Sequence, residues 1–240
     1  LWGAGLGESL PWLEPPPRAS LQEGRRQLLA LGALNAEGRP TNTGQTLARF
    51  GAHPRLGLLL LQARALGRPQ LGADLAAILN ERDLLSQHNH GSDLWSRMLF
   101  LRNNRNSSRI AGDRAAADRL KTVADQSRRW LQQLDQFEPE QKPQGIEATD
   151  EQIAAQLVAT AFPEWIAVAR PGQRGQFLLR QGRGAALQVS DPLDGAEALA
   201  IAQLDLGDTR AKIRLALPLT HQWVKDLADQ NGHWQERVLW

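Results

Sequence analysis

Arginine and lysine side chains are concentrated in one stretch of this sequence, from Arg97 to Gln133. The stretch has nine basic residues against three acidic ones, a charge of +6, whereas the whole chain of 240 residues has a net charge of +2 and the rest carries the difference, −4. Guanidinium groups bind phosphate by charge and by paired N–H donors, and lysine binds it by charge alone. The stretch therefore predicts a surface that holds a polyanion, such as a nucleic-acid backbone, without reading its sequence.

The segment from Arg102 to Arg109 is the most suggestive part of this basic stretch. It combines three arginines with asparagine and serine side chains, and it is expected to lie between two helices. The composition of the stretch also fits a solvated helix face whose arginines pair with nearby aspartates, such as Asp125 with Arg129. Composition alone leaves both interpretations open.

The sequence contains no motif for nucleotide hydrolysis. It has no Gly-x-x-x-x-Gly-Lys-Ser/Thr loop for phosphates and no Asp-Glu-x-His segment for magnesium and water. His88 and His90 stand two apart in a polar segment, which predicts a solvated loop rather than a metal site, since a site needs further ligands at fixed geometry. His53 precedes Pro54 and is expected at a turn. We therefore predict no catalytic residue, no metal ion and no cofactor in this chain.

Composition also limits the compartment. The chain has no cysteine, which excludes disulfides and cysteine-based metal sites and fits a reducing cytoplasm. It has no secretory signal, and its longest apolar run, Leu56 to Leu61, is too short to span a bilayer, so we expect no membrane partner. It begins at Leu1, and its one methionine is Met98. We expect a piece of a longer protein.

The elements that must position these basic residues begin with a strap and a helix–hairpin–helix pattern. Three successive prolines end the segment 10–17, which predicts an extended strap anchored by Trp12. A helix that Gly32 ends, a short hairpin around 35–38 and a second helix capped by Thr43 are expected next. This order predicts a winged helix.

Helical spacing then dominates the middle of the chain. The run 55–66 is apolar nearly all round and predicts a buried helix. Apolar positions at helical spacing over 71–79, 93–101 and 109–134 predict a helical bundle. The proline and glycine content of 137–149 is typical of a linker.

The C-terminal part predicts strands. Two pairs of apolar segments flank glycine-containing turns, at 176–180 with 185–189 and at 198–204 with 211–217. Two adjacent hairpins indicate a small antiparallel barrel or sheet. Small barrels of the OB type bind single strands through basic residues and aromatic stacking, and basic residues on or beside these hairpins are Arg180, Arg183, Lys212 and Arg214.

A series of short motifs runs in order along nearly the whole chain. They are Trp12-Leu-Glu-Pro-Pro-Pro17, Leu31-Gly-Ala-Leu34, the turn from Thr41 to Gly44, His53-Pro-Arg-Leu56, Asp74-Leu-Ala-Ala-Ile-Leu-Asn-Glu-Arg-Asp83, Leu178-Leu-Arg-Gln-Gly-Arg-Gly-Ala185, Asp191-Pro-Leu193 and Ala211-Lys-Ile-Arg-Leu-Ala216. Their order resembles the C-terminal accessory region that follows the two motor domains of DEAH-box helicases, most closely the bacterial HrpB-type ATP-dependent helicases.

The resemblance implies a mainly α fold with a C-terminal β part. It implies a winged-helix domain with its strap over 1–54, a helical ratchet-like bundle over 55–170, and an OB-like β domain, complete or truncated, over 171–240. The parent protein would be a cytoplasmic ATP-dependent RNA helicase. Its two RecA-like domains, which would bind ATP and magnesium and hydrolyse ATP, are absent here and would act on this region in cis.

The resemblance also implies a binding role. The accessory region would bind the backbone of single-stranded RNA, or alternatively DNA, as the motor moves. The residues implied to contact the strand are Arg97, Arg102, Arg105 and Arg109 from the ratchet-like bundle, and Arg180, Arg183 and Arg214 from the OB-like part.

Two other interpretations stay open. The chain fits a stand-alone winged-helix DNA-binding regulator, although its recognition helix would offer only Gln45 and Arg49 to bases and phosphates. It also fits a docking scaffold that binds partner proteins through the tryptophan-rich strap, including Trp2 and Trp12. The sequence indicates neither the oligomeric state nor the natural RNA.

Overall fold

The structure is a computed structural model that describes residues 10–85, 90–105, 114–137, 147–207 and 210–230. The helices precede the strands, apart from one helix at the end. The helices are α1 (Arg18–Ala30), α2 (Asn42–Arg49), α3 (Pro54–Ala65), α4 (Pro69–Asn80), α5 (Leu94–Asn104), α6 (Arg114–Asp135), α7 (Asp150–Ala161) and α8 (His221–Gln230). The strands are β1 (Ile166–Ala169), β2 (Gln176–Leu179), β3 (Gly184–Ala186), β4 (Ala198–Leu206) and β5 (Ala211–Leu219). This confirms a mainly α chain with a C-terminal β part.

The first elements follow the glycines and prolines closely. Residues 10–17 form neither helix nor strand, and α1 begins directly after the last proline. Gly32 ends α1 with a φ of 66°, a left-handed conformation that glycine adopts without strain. The hairpin that follows is a single antiparallel bridge between Leu34 and Pro40.

The predicted cap of α2 is two residues out. The Thr41 hydroxyl, rather than Thr43, accepts the N–H of Gly44 at 3.0 Å and caps the helix. The same hydroxyl donates to the carbonyl oxygen of Gly32 at 2.6 Å. The helix therefore starts as soon as the chain leaves the bridge, so the prediction for Thr43 was wrong.

A large apolar core joins the helices α3 to α7. α4 lies at its centre, with eight buried residues, and contacts α3, α5, α6 and α7. Gly72 of α4 lets α3 approach closely, because an added Cβ would lie 2.2 Å from that of Ala63. Phe137 packs against Phe50 at 5.2 Å between ring centroids, and Thr149 caps α7 with a capping box. The middle of the predicted linker lies outside the described residues.

The five strands form a small closed barrel in the order β1-β2-β3-β5-β4. Both predicted hairpins are confirmed, as β2 with β3 and as β4 with β5, and β3 pairs with β5 in parallel. β4 is buried on both faces, since Leu199 and Ile201 point into the barrel while alanines at alternate positions join the helical core. The barrel begins at Ile166, inside the range expected for the helical bundle.

The segment before α5 fastens the helical part to the barrel. The N–H of Ser92 donates to the Asp191 carboxylate at 2.8 Å, and its hydroxyl donates to the carbonyl oxygen of Ile213 at 3.1 Å. The carbonyl of Ser92 accepts the N–H of Ala216 at 2.9 Å. Because Ser92 and Asp191 are both buried, these bonds hold the two parts in one arrangement.

Candidate nucleic-acid interface

Arg97 lies in the protein interior. Its side chain is fully buried on α5, and its guanidinium donates to both carboxylate oxygens of Asp83, at 3.0 and 2.7 Å. It also donates to the carbonyl oxygens of His90 and Asp93. Four hydrogen bonds of this guanidinium are therefore made inside the fold.

Arg102 and Arg105 both have carboxylate partners. Arg102 donates to Asp150 at 3.0 Å, at the first residue of α7, and lies over the Trp95 ring. Arg105 pairs with Asp74, a buried carboxylate on α4. Arg109 lies outside the described residues. In the described part of the chain, the predicted contact residues of the bundle are thus all paired with acids.

Intrahelical pairing also occurs along α6. Asp125 pairs with Arg128, one residue before the expected partner, and Arg129 donates instead to Gln126 at 2.6 Å. These pairs are exposed on the helix surface. The alternative interpretation of the basic stretch, a solvated face with Asp–Arg pairs, therefore describes this part of α6.

The barrel arginines differ from one another. Arg183 donates to the carbonyl of Gly207, and Arg214 pairs with Asp205. Arg180 is exposed just after β2, and its own N–H donates to the carbonyl of Ile166 at 2.9 Å. Among the described residues, no carboxylate pairs with the Arg180 side chain. Of the six predicted contact residues that the structure describes, it is the one that is exposed.

Arg180 lines a large cleft between the two parts of the molecule. The cleft has a volume of about 1010 Å³ and is bounded by α1, the start of α3, the segment after α7 and the end of β4. The cations and rings that line it are Arg26, His53, Arg55, Phe162, Trp165 and Arg180. We call this space the α1–barrel cleft.

Arg55 organises the floor of the α1–barrel cleft. Its guanidinium donates to the carbonyl of Ala161 at 2.6 Å and pairs with Glu164 at 2.6 Å, so it ties the start of α3 to the end of α7. It also lies over the Phe162 ring, 5.2 Å from the centroid. Phe162 stacks in turn on Trp165, with 5.2 Å between centroids and 8° between planes. Arg55 and Trp165 thus both contact the Phe162 ring, and Glu164 holds the Arg55 guanidinium by an ion pair.

His53 caps α3 next to Arg55. Its Nδ1 accepts the N–H of Arg55 at 3.3 Å. Burial lowers the pKa of the His53 imidazole below its usual range, and the positive charge of Arg55 lowers it further. The ring is therefore neutral at pH 7, as an acceptor at Nδ1 requires.

The structure does not place Arg102 beside Arg180. Arg102 pairs at the first residue of α7, whereas the α1–barrel cleft, which Arg180 lines, lies at the other end of that helix. A helix of 12 residues separates its ends by about 18 Å. Neither Phe162 nor Trp165 was predicted from the sequence to lie at a binding site, although the two aromatic residues flank a helix-breaking proline.

No helix among the described residues combines the length and the apolar character needed to cross a membrane. The same residues contain no group of three or more His, Asp or Glu side chains placed to hold a metal ion. His88 lies outside them.

Comparison with known proteins gives a consistent result. No protein-family model matches the chain. It is 31% identical over 218 residues to the ATP-dependent RNA helicase HrpB of Escherichia coli K12, a match that covers 91% of this chain and 23% of that protein. A crystal structure described as the E. coli DExH-box NTPase HrpB matches with a TM-score of 0.65, 28% identity, and 91% and 23% of the respective chains.

A second crystal structure, described as the E. coli DEAH/RHA helicase HrpB, matches with a TM-score of 0.68 and 28% identity, covering 92% of this chain and 24% of that one. The chain thus spans about a quarter of the length of the relatives it matches. In sequence and in fold, the chain is similar to one region of these HrpB proteins.

Proposed function

We propose that this chain is the C-terminal accessory region of an HrpB-type ATP-dependent helicase and that it binds single-stranded RNA for a motor located elsewhere in the parent protein. The observation that carries the proposal is the match in sequence and fold along 91% of the chain to a protein named as an RNA helicase. Single-stranded DNA is the alternative ligand.

ATP and magnesium do not fit the residues of this chain. The sequence has no phosphate-binding loop, and the described residues hold no cluster of carboxylates or histidines suited to a metal ion. We therefore assign nucleotide binding and hydrolysis to RecA-like domains in the unmatched part of the parent.

We propose three domains within the chain. The strap, α1, α2 and the bridge between Leu34 and Pro40 support a winged helix over 1–54. The helices α3 to α7 support a ratchet-like bundle. The closed order of the five strands supports an OB-like barrel. Because β1 starts at Ile166, we place the start of the third domain there rather than at residue 171.

Among the arginines implied by the resemblance, Arg180 is the best placed for phosphate. Arg183 and Arg214 lie on the same barrel and would exchange an internal acceptor for a phosphate oxygen. Arg102 and Arg105 would have to leave a carboxylate in the same way. We leave Arg97 out of the binding surface because its side chain is buried.

Binding of labelled single-stranded RNA by the 240-residue chain tests this proposal. Fluorescence anisotropy over a salt series between about 50 and 200 mM should show affinity that falls steeply with salt, as expected when phosphates release counterions. Arg180→Gln should weaken binding. It should also reduce the slope of log affinity against log salt concentration by about one, the contribution of one phosphate contact.

The matched control is Arg170→Gln, which removes an exposed arginine from the same barrel outside the α1–barrel cleft. An equal loss in both variants would indicate non-specific attraction to the barrel. No binding even at the lowest salt would contradict the proposal. Preference for a duplex of particular sequence would favour the winged-helix regulator instead.

A further inference from the structure

We propose that the α1–barrel cleft is a binding site for one unpaired nucleobase of the strand, which stacks on the Phe162–Trp165 pair while Arg180 holds an adjoining phosphate. This inference rests on the proposed function, because it requires that the chain binds a single strand. It adds a residue-level site, in a cleft whose lining includes none of Arg97, Arg102 and Arg105.

The aromatic pair is arranged in advance of binding. Phe162 and Trp165 both line the cleft, and both residues are half-buried. Their planes are within 8° of parallel. Bases stack on aromatic side chains whatever their identity, because every base has a π face. Such a pair suits binding that is indifferent to sequence.

Arg55 keeps this pair in place. Its side chain is only 11% exposed, and it is fixed by the carbonyl of Ala161 and the carboxylate of Glu164. Its guanidinium lies over the Phe162 ring, 5.2 Å from the centroid. The rings therefore lose little side-chain freedom when a base arrives, which favours affinity.

Arg180 supplies a positive charge next to the rings. The hydrogen bond from its N–H to Ile166 places its backbone beside the residue that follows Trp165. Its side chain is exposed and lines the same cleft. A base on the rings and a phosphate on this guanidinium are two neighbouring parts of one nucleotide.

The size and polar lining of the cleft agree with a nucleotide. Its volume of about 1010 Å³ is at the upper end of the roughly 300–1,000 Å³ typical of small-molecule sites. Gln27, Asn80 and Gln181 also line it. Amide side chains both donate and accept hydrogen bonds, so they can meet any base edge.

A pair of strands with equal backbone charge separates base binding from phosphate binding. One strand is oligouridine, and the other has the same length and backbone but abasic sites. The 240-residue chain should bind the base-bearing strand more tightly. Trp165→Leu and Phe162→Leu should each lower affinity for that strand by roughly fivefold to 150-fold while leaving the salt slope unchanged.

Arg180→Gln should behave in the opposite way: it should weaken the binding of both strands equally and lower the salt slope. Trp223→Leu is the matched control, since Trp223 is also half-buried but lies outside the cleft lining. Circular dichroism establishes that each variant is folded. Ala30→Trp gives a second route, because Ala30 is an exposed cleft residue on a helix that buries no side chain, and a bulky ring there should block the base.

The location of the bound base is tested directly by photocrosslinking with 5-iodouridine in the strand. Crosslinks should map to the peptide that contains Phe162 and Trp165. Equal affinity of the unchanged chain for the two strands, or an equal effect of Trp223→Leu and Trp165→Leu, would overturn the base site and leave the proposed function intact. Failure to bind either strand would overturn both. Displacement of oligouridine by a proline-rich peptide, without base preference, would assign the cleft to a peptide and also overturn the base site.

Discussion

At the level of single residues, arginine acts in two ways in this protein, and the amino-acid composition does not distinguish them. A guanidinium that can grip a phosphate can equally hold a carboxylate, since both present paired oxygen acceptors. Arg97 does the second with Asp83, and the Arg97 side chain is itself closed to solvent. Arg180 has no carboxylate partner among the described residues and faces the α1–barrel cleft. Counting positive charges along a sequence does not separate these roles.

Replacement of Arg97 should lower the free energy of unfolding and leave the proposed binding of RNA unchanged. Arg97→Met keeps much of the side-chain volume but leaves the Asp83 carboxylate and two carbonyl groups without their donor. The Asp83 side chain is 28% exposed and can be partly solvated when its partner is lost, so we expect a loss of about 2 kcal/mol. Urea unfolding measures this loss, and RNA affinity of the folded fraction should be unchanged.

Arg129→Gln provides the comparison for that experiment. Arg129 lies on the exposed face of α6, where its partner is an amide. Its replacement should change stability by less than about 0.5 kcal/mol. A similar loss for both variants would show that the buried pair with Asp83 has no special structural role.

At the scale of elements, glycines decide how closely neighbours approach. Gly44 in α2 lies against the chain that leaves α1, and an added Cβ would lie 2.0 Å from the carbonyl oxygen of Ala33. Backbone cannot yield as a flexible side chain does. Gly24 in α1 has open space around it, so the same substitution there has only a conformational effect.

Gly44→Ala and Gly24→Ala should therefore change stability in opposite directions. Gly44→Ala should destabilise by about 2 kcal/mol or more, because the backbone at Ala33 must shift to admit the methyl group. Gly24→Ala should stabilise α1 by up to about 1 kcal/mol, the difference in helix propensity. Thermal unfolding of both variants measures this, and a stabilised Gly44→Ala would refute the close contact with Ala33.

Sequence patterns predicted the elements better than their partners. The end of α1 at Gly32 and both barrel hairpins follow from turn-forming glycines and alternating apolar residues, which act locally. β1 was not predicted, because a short apolar run after a proline fits strand and buried helix equally. The pairing of Arg55 with Glu164 joins residues 109 apart in sequence, and no local signal reports such a contact. The aromatic floor of the cleft depends on that pairing.

At the scale of the whole molecule, the helical part and the barrel form one packed body. The outward faces of β4 and β5 belong to the same apolar core as α3 to α7. Ser92 and Asp191 add buried hydrogen bonds across this junction. The α1–barrel cleft is bounded by both parts, so its shape depends on the junction staying closed.

Gly91 is the position where this dependence can be tested. It has a φ of 61°, and a Cβ there would lie 2.4 Å from Pro192 and 3.1 Å from the Asp191 carboxylate. Gly91→Ala should cost about 3 kcal/mol or more, from the left-handed backbone and the steric contact together. It should also lower oligouridine affinity, because the cleft opens.

Gly182→Ala separates the cost of the left-handed backbone from the cost of the steric contact. Gly182 has a φ of 82° but no atom within 4 Å of an added Cβ, so its replacement should cost only about 1 kcal/mol. Urea unfolding followed by tryptophan fluorescence gives both values. Equal losses for the two glycines would mean that contact with Asp191 and Pro192 does not hold the junction.

The parallel pairing of β3 with β5 has a consequence for synthesis on the ribosome. The first three strands can form a meander as soon as they emerge, but that sheet keeps an unpaired edge until Ala211 and Lys212 arrive to pair with Ala185 and Ala186. Open sheet edges are templates for association with other chains. A nascent chain whose translation pauses between β3 and β5 is therefore exposed to aggregation, and rapid decoding of that interval would protect it.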